Sequence, residues 1–497
     1  MRFIIIYLTT SFGVISADEK CFRAAVYEGP GISDGLECAN QEISKNLEVF
    51  EYVAKEASTN KAQIIVYPEY GLLPREDRTK TERYGEIITD KIGTVNPCNK
   101  PEEFAKQQIQ LRLSCAAKKN HIFIVAHLAE VEYCDSKKKS SDCPADGRYQ
   151  YNTAIAFNSE GFIVAKYRKN HLFGESDCFD WPKKQEYSTF DTPFGRIGLL
   201  ICFDSLFKQP AFGLINEKQV TTLAMPTWWI NEYPFLVAHQ FQQSFAIAQN
   251  INYLAANGND KSLATTGSGI YNGIRGAAIY KYKSKAQVGT LLISTISVNA
   301  SDISASCEQN SRDIPIEIQK TSSKSSSALS PSGDEYHLYY NNLDKLNKIK
   351  LNERTGEVNI CKDKVCCQLS YSTNDATFKR KNSYFVGVGH GIRVMQQGHW
   401  CEEMCLVYAF NETNNAFALS DSTEFDRIKL SGTFTAETIY PSLVSDDLKL
   451  VPTCQWNYKP SDNKCLIEST SKIKLISASL YGRCFQRDPP LHRLAQT

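Results

Sequence analysis

Apolar and polar positions along the N-terminal part of the chain switch repeatedly between two rhythms. Short apolar runs rich in β-branched residues at 22–27, 62–67, 121–127, 196–202, 220–225 and 252–256 predict buried strands. The runs 151–157 and 161–166 predict a hairpin across Asn158-Ser159-Glu160. Between these runs the spacing lengthens. Ile43, Leu47, Phe50 and Ala54 make a helical stripe over 39–57, Phe104, Ile109 and Leu113 mark a helix over 101–119, and 235–250 reads as another. Strands alternating with helices predict an α/β domain. Serine dominates 321–335, and Pro331 and Gly333 interrupt any regular element, so a linker is expected there. Beyond it, short alternating runs at 357–360, 383–388 and 405–410 predict a β-rich second domain. A chain of 497 residues is long enough to bury two cores.

Three predicted strands end on reactive side chains. Glu69 follows 62–67, Lys169 follows 161–166, and Cys202 closes 196–202 just before the helix-like Phe203-Asp204-Ser205. Ligands of open α/β sheets collect outside the carboxyl ends of strands, so a carboxylate, an ammonium and a thiol are expected on one rim. Such a set suits amide chemistry: Cys202 as nucleophile, Glu69 as proton acceptor, Lys169 as oxyanion and proton donor favouring the thiolate. The plain alternatives are a surface carboxylate, an exposed base and half a disulfide.

The motifs Tyr-Pro-Glu-Tyr-Gly (67–71), Lys-Tyr-Arg-Lys-Asn-His-Leu-Phe (166–173) and Leu-Ile-Cys-Phe-Asp (200–204) together resemble the nitrilase superfamily, whose members use a Glu-Lys-Cys triad. Gly-Leu-Leu-Ile-Cys-Phe-Asp-Ser-Leu-Phe (198–207) and Thr-Gly-Ser-Gly-Ile-Tyr (266–271) look like its vanin and biotinidase branch. That resemblance implies a four-layer α-β-β-α sandwich over 18–320 and a disulfide-stapled β-rich domain over 336–497. It also implies cleavage of a linear amide through a thioester at Cys202, without metal or organic cofactor. Pantetheine, giving pantothenate and cysteamine, is the implied substrate; biocytin and other biotin amides are the alternative, and an inactive secreted binding protein is a third reading. By the same resemblance Glu175 orients Lys169, with Asp177 as competitor, and Trp229 lies in the substrate pocket, with a core anchor as its plain reading.

Residues 1–17 supply a basic start, an apolar stretch and a small-residue cleavage site, the pattern of a secretory signal peptide. No later stretch has the length of a transmembrane helix, and the polar C-terminus lacks a GPI signal, so a soluble extracellular protein is expected. Setting one nucleophile aside from 17 cysteines leaves an even number, up to eight bridges, with Cys134 and Cys143 as a local pair. Zinc is the rival reading for Cys361, Cys366, Cys367, Cys401 and Cys405, but their separations match no finger. Asn299 and Asn411 head sequons for N-glycans. A net charge of +1 argues against nucleic-acid partners, with Lys137-Lys138-Lys139 read as a solvated tip. Gly387-Val-Gly389-His-Gly391 lacks the lysine of a phosphate loop and reads as a bend between strands, with His390 and His399 structural. The added domain would cover part of the surface through which nitrilases associate, so a monomer is expected.

Overall fold

The computed structural model describes residues 20–31, 39–135, 142–283, 288–302, 304–317, 338–341, 346–376, 378 and 382–490. The signal peptide expected at 1–17, the linker expected at 321–335 and the 137–139 lysines lie outside them. The first part contains β1 (Cys21–Glu28), α1 (Ala39–Thr59), β2 (Ile64–Val66), α2 (Arg78–Thr81), α3 (Gln108–Asn120), β3 (Phe123–Tyr133), β4 (Arg148–Phe157) and β5 (Ile163–Arg168). It continues with β6 (Thr189–Thr192), β7 (Gly195–Leu199), α4 (Ala211–Asn216), β8 (Thr222–Thr227), β9 (Glu232–Tyr233), α5 (Ala238–Gln249), β10 (Asn252–Asn257), β11 (Ser268–Asn272), β12 (Ala277–Lys281), β13 (Val288–Ser297) and β14 (Arg312–Glu317).

These strands form two mixed sheets, in the orders β14-β13-β1-β2-β3-β4-β5 and β12-β11-β10-β8-β7-β6. Successive side chains of a strand point to opposite faces, and β1 shows how the layers result. Ala24 and Val26 join the core shared with the second sheet, whereas Ala25 and Tyr27 join the core containing Leu47 and Phe50 of α1 and Ile109 and Leu113 of α3. α4 and α5 pack on the outer side of the second sheet, with Phe245 of α5 stacked 5.0 Å from Tyr253 of β10. The result is an α-β-β-α sandwich. The third helix starts at 108 rather than 101, because 101–106 folds as turns that leave Phe104 only half-buried.

After the parallel pair of β15 (Tyr339–Tyr340) with β9, the second part is nearly all strand. It comprises β16 (Asn347–Lys350), β17 (Thr355–Lys362), β18 (Val365–Ser372), β19 (Ser383–Met395), β20 (Gly398–Asn411), β21 (Ala416–Phe417), β22 (Thr423–Phe425), β23 (Arg427–Thr433), β24 (Thr438–Val444), β25 (Trp456–Pro460), β26 (Lys464–Ser469), β27 (Ile473–Leu475) and β28 (Ser477–Arg483). The sheets β16-β19-β20-β28-β24 and β17-β18-β23-β26-β25 are joined through their core by Cys367–Cys405. The glycine-rich bend expected at 387–391 is instead the middle of β19. Its glycines permit close approach: a Cβ on Gly389 would meet Leu346 at 2.4 Å.

Six disulfides are formed among the described residues, Cys134–Cys143 among them; the others are Cys21–Cys307, Cys98–Cys115, Cys361–Cys366, Cys367–Cys405 and Cys401–Cys484. Against an expectation of up to eight, Cys178, Cys454 and Cys465 are free thiols alongside Cys202 among the described residues, and Cys38 lies outside them. Even parity therefore carried no information about pairing. The two parts share one apolar core. Phe241 and Phe245 of α5 pack on Tyr440 of β24, and Ser244 donates to the Pro441 carbonyl at 2.7 Å.

Candidate active site

Each of the three singled-out residues follows a strand end, and the topology turns those ends to one rim. β2 and β3 are parallel, β4 runs against β3, and β5 against β4, so β2 and β5 point the same way. Pro68, with no N–H to donate, stops the β2 ladder one residue before Glu69. Lys169 leaves β5 with its N–H donating to the Asn152 carbonyl at 2.8 Å. β7 ends at Leu199 rather than at Cys202. Leu200 and Ile201 carry the chain into the site, where Cys202 opens a single 3-10 turn, Cys202–Leu206, at φ +45°. A non-glycine residue held there costs on the order of 1 kcal/mol, so the surroundings must enforce it. Fully buried Asp204 does so, accepting from the Ile201 N–H (3.2 Å), the Tyr167 hydroxyl (2.8 Å) and the His171 N–H (2.9 Å).

Lys169 is the hub. Its ammonium lies 2.7 Å from Glu69 Oε1 and 2.8 Å from Glu175 Oε2, and all three side chains are buried. Glu175 rather than Asp177 is the second carboxylate, and Asp177 is exposed. Glu175 also accepts from the Tyr70 hydroxyl and from the Phe173 N–H at 3.0 Å; Glu69 accepts from the Trp228 N–H at 2.9 Å. Asn152 Nδ2 donates to both, at 2.8 Å to Glu69 and 3.1 Å to Glu175. Its amide orientation is set from behind. His127 accepts the Tyr70 N–H at Nδ1 (3.1 Å), so its proton sits on Nε2 and points at Asn152 Oδ1, 2.9 Å away. Burial first, then Lys169, lowers the His127 pKa to about 3, keeping the ring neutral.

The charges decide protonation. Burial alone would lower the Lys169 pKa, but Glu175 and Glu69 overcome it and raise it, so the ammonium is kept. Burial raises Glu69 against the opposing pull of Lys169. Glu175 would likewise rise on burial, yet Lys169 and the Tyr70 and Phe173 donors hold it below its usual range. Two carboxylates already outnumber one ammonium. A thiolate would add another negative charge, and the Cys202 pKa is pushed up to about 12, by burial first and Glu69 next, with Lys169, Thr227 and Trp228 opposing. Lys169 pulls toward the thiolate, as expected of it, but burial and Glu69 outweigh that pull, and the short 3-10 segment adds little dipole. Cys202 therefore rests as a thiol, close enough to Glu69 to feel its charge.

A cavity of about 310 Å³ opens on Cys202, within the size range of small-molecule sites. Trp229 lines it while also acting as a core anchor, with its ring stacked 5.0 Å from Phe241 and its indole N–H donating to the Leu236 carbonyl at 2.8 Å. The opposite wall comes from the second part of the chain, through Arg393, Met395, Gln397 and Trp400. Sequence reading missed Asn152, Tyr70, His127 and Trp228. Asn152, a polar residue inside the otherwise buried run 151–157, was the one visible signal.

Residues 23–262 match the carbon-nitrogen hydrolase family model, and residues 336–488 match the vanin C-terminal domain. Pantetheinase of Canis lupus familiaris is 33% identical over 455 residues, covering 90% of this chain and 84% of that protein. The chain belongs to the carbon-nitrogen hydrolase family. Within it, pantetheinase of Homo sapiens is 31% identical, covering 95% of this chain and 90% of its own. Biotinidase of Takifugu rubripes is 32% identical, covering 95% and 96% respectively. This carbon-nitrogen hydrolase is thus of the vanin and biotinidase branch and acts on amides. No helix among the described residues is long and apolar enough to cross a membrane.

Replacing Asn152 by aspartate in this hydrolase exchanges a shared donor for a third carboxyl beside Glu69 and Glu175. Like charge raises the Glu69 pKa, so the acid limb of the pH–rate profile moves to higher pH, and the maximal rate falls by about 10²-fold, the scale of impaired general-base catalysis. An unshifted acid limb overturns the coupling.

Proposed function

We propose that the protein hydrolyses pantetheine to pantothenate and cysteamine, with Cys202 as nucleophile, Glu69 as base and Lys169 as charge stabiliser. The observation that carries this reading is the buried Lys169 bridging Glu69 and Glu175, with Cys202, which feels the charges of Glu69 and Lys169, lining a cavity. Cys202 attacks the amide carbonyl as its proton passes to Glu69, which conserves charge in the buried cluster and avoids a free thiolate. Lys169 and the Phe203 N–H, in the first turn of a 3-10 segment where backbone donors have no intrahelical acceptor, receive the oxyanion. Glu69 gives its proton to the departing amine, then takes one from water, which cleaves the thioester and restores the thiol.

Biotin amides form the second reading, supported by the full-length similarity to a biotinidase. Incubating purified protein with pantetheine and with biocytin, and following cysteamine and lysine release, decides between them. Cysteamine release without lysine release is the expected result; turnover of neither substrate overturns the reading. The same proposal places the protein outside the cell as a soluble, glycosylated monomer. In support, disulfides tie both parts of the chain, and Asn299 is exposed.

A further inference from the structure

One charged pair lines the cavity without any part in the proposed acyl transfer. Arg393, near the tip of the β19–β20 hairpin, pairs through Nη2 with Glu232, beside the cavity floor; their side chains are 13% and 12% exposed. Trp400 lies under the guanidinium, 5.1 Å from ring centroid to Cζ. Nη1 is buried and has no hydrogen-bond partner among the described residues. Its next carboxylate, Glu402, stands 3.9 Å away, held by the Trp400 indole N–H at 3.2 Å and the Tyr481 hydroxyl at 2.9 Å. Burial works against the Arg393 charge, but Glu402 and Glu232 more than restore it.

An arginine–glutamate pair in the wall of a mostly apolar binding cavity marks where polar groups of a ligand belong. We propose that Arg393 and Glu232 select the acyl half of the substrate. An oxygen on that half accepts from the guanidinium edge that lines the cavity, and a hydroxyl or N–H beside it donates to Glu232. The pair is neutral in sum and backed by Glu402, so a carboxylate on the acyl chain meets two carboxylates around one guanidinium. A plain alkyl chain leaves the pair desolvated and without a partner, which sites built for hydrogen bonding reject strongly. The selected class is therefore a neutral acyl chain bearing hydroxyl, amide or ureido groups distant from the scissile bond. The pantothenoyl and biotinyl groups both belong to it. This inference rests on the proposed amide hydrolysis and assigns its selectivity to a pair drawn from both parts of the chain.

The test measures KM and kcat of the full-length protein on whichever polar amide it cleaves, pantetheine or biocytin. The control is the octanoyl amide of the same amine, N-octanoylcysteamine or Nε-octanoyl-lysine. Wild type should prefer the polar amide. Arg393→Met should raise KM for it by at least about 10-fold while kcat at saturation stays within about twofold, the pattern of lost uniform binding, and should not raise KM for the octanoyl amide, which no longer desolvates a guanidinium. Arg393→Lys should recover part of the preference. Glu232→Gln keeps the shape of the wall, should narrow the same preference, and decides the matter if Arg393→Met fails to fold. Equal losses on both amides, or no change on either, overturn the inference. Wild-type protein that cleaves none of these amides overturns the proposed function instead.

Discussion

Cys202→Ala lowers turnover of the preferred amide by more than about 10⁴-fold, the scale seen when a covalent nucleophile is removed from an otherwise intact site. Among the described residues that line the cavity Cys202 is the only thiol, and a water in its place has neither the nucleophilicity nor the enforced φ +45° presentation. Glu69→Gln behaves differently. It keeps the shape and one acceptor, for Lys169 or for the Trp228 N–H but not for both, and it cannot take the thiol proton; a thiol pushed up to about 12 does not lose it unaided. Acylation and deacylation both slow, by about 10²- to 10⁴-fold. Intact-mass analysis of Glu69→Gln during turnover should show an acyl adduct mapping to Cys202. An adduct on Cys178, or undiminished hydrolysis by Cys202→Ala, refutes the assignment.

Lys169→Met produces the other large effect, and it appears in stability as well as rate. The substitution leaves Glu69 and Glu175 buried within reach of Asn152 and Tyr70 but without a counter-charge. Breaking a buried pair by deleting one partner costs about 3–5 kcal/mol. The pH dependence follows from the sign of the shifts. In the wild type, Lys169 holds Glu175 below its ordinary pKa, so the stability from that pairing is present above the unfolded value and is lost as pH falls through the folded one. In the variant both carboxyls rise above the unfolded value. They take up protons on folding, so stability is retained at low pH and lost as pH rises through their folded pKa values. Denaturant melts at pH 5 and pH 8 should therefore show the larger deficit at pH 8. A deficit that is equal at both, or larger at pH 5, contradicts the buried-charge account.

How much of this was legible in the sequence depends on whether the cause was local. Strand ends at 67, 166 and 202 could be approximated from apolar runs, because burial on both faces leaves a local signature, and Glu69, Lys169 and Cys202 follow from them as neighbours in sequence. The protonation state of Cys202 was not legible. It depends first on burial and then on Glu69 set against Lys169, groups brought together from positions far apart in the chain. The stripe Ile43, Leu47, Phe50, Ala54 located α1 because a single helix face is buried. Phe104 misled because an aromatic in a turn looks the same, in a short window, as one on a helix face. The glycines at 387–391 were misread for the opposite reason. Their role is to admit Leu346, a neighbour that only the folded second part supplies. Arg393 and Trp400 had no local signal at all.

The β19–β20 hairpin carries a consequence for how this protein could diverge. Its backbone ladder runs uninterrupted to Met395 and Gly398, closing in a two-residue turn, so register is set by the strands and not by the tip side chains. The cluster around Lys169, by contrast, is assembled wholly from the first part, with Glu69, Lys169 and Glu175 on loops backed by Asn152 of β4. The reactive set and the Arg393 half of the proposed selecting pair thus lie on separate stretches of the gene, with Glu232 on the first. Duplicated copies can drift at a handful of codons around 393 while the reactive set stays under constant selection. Directed libraries confined to that tip should yield altered amide preference among variants that remain folded and catalytically competent.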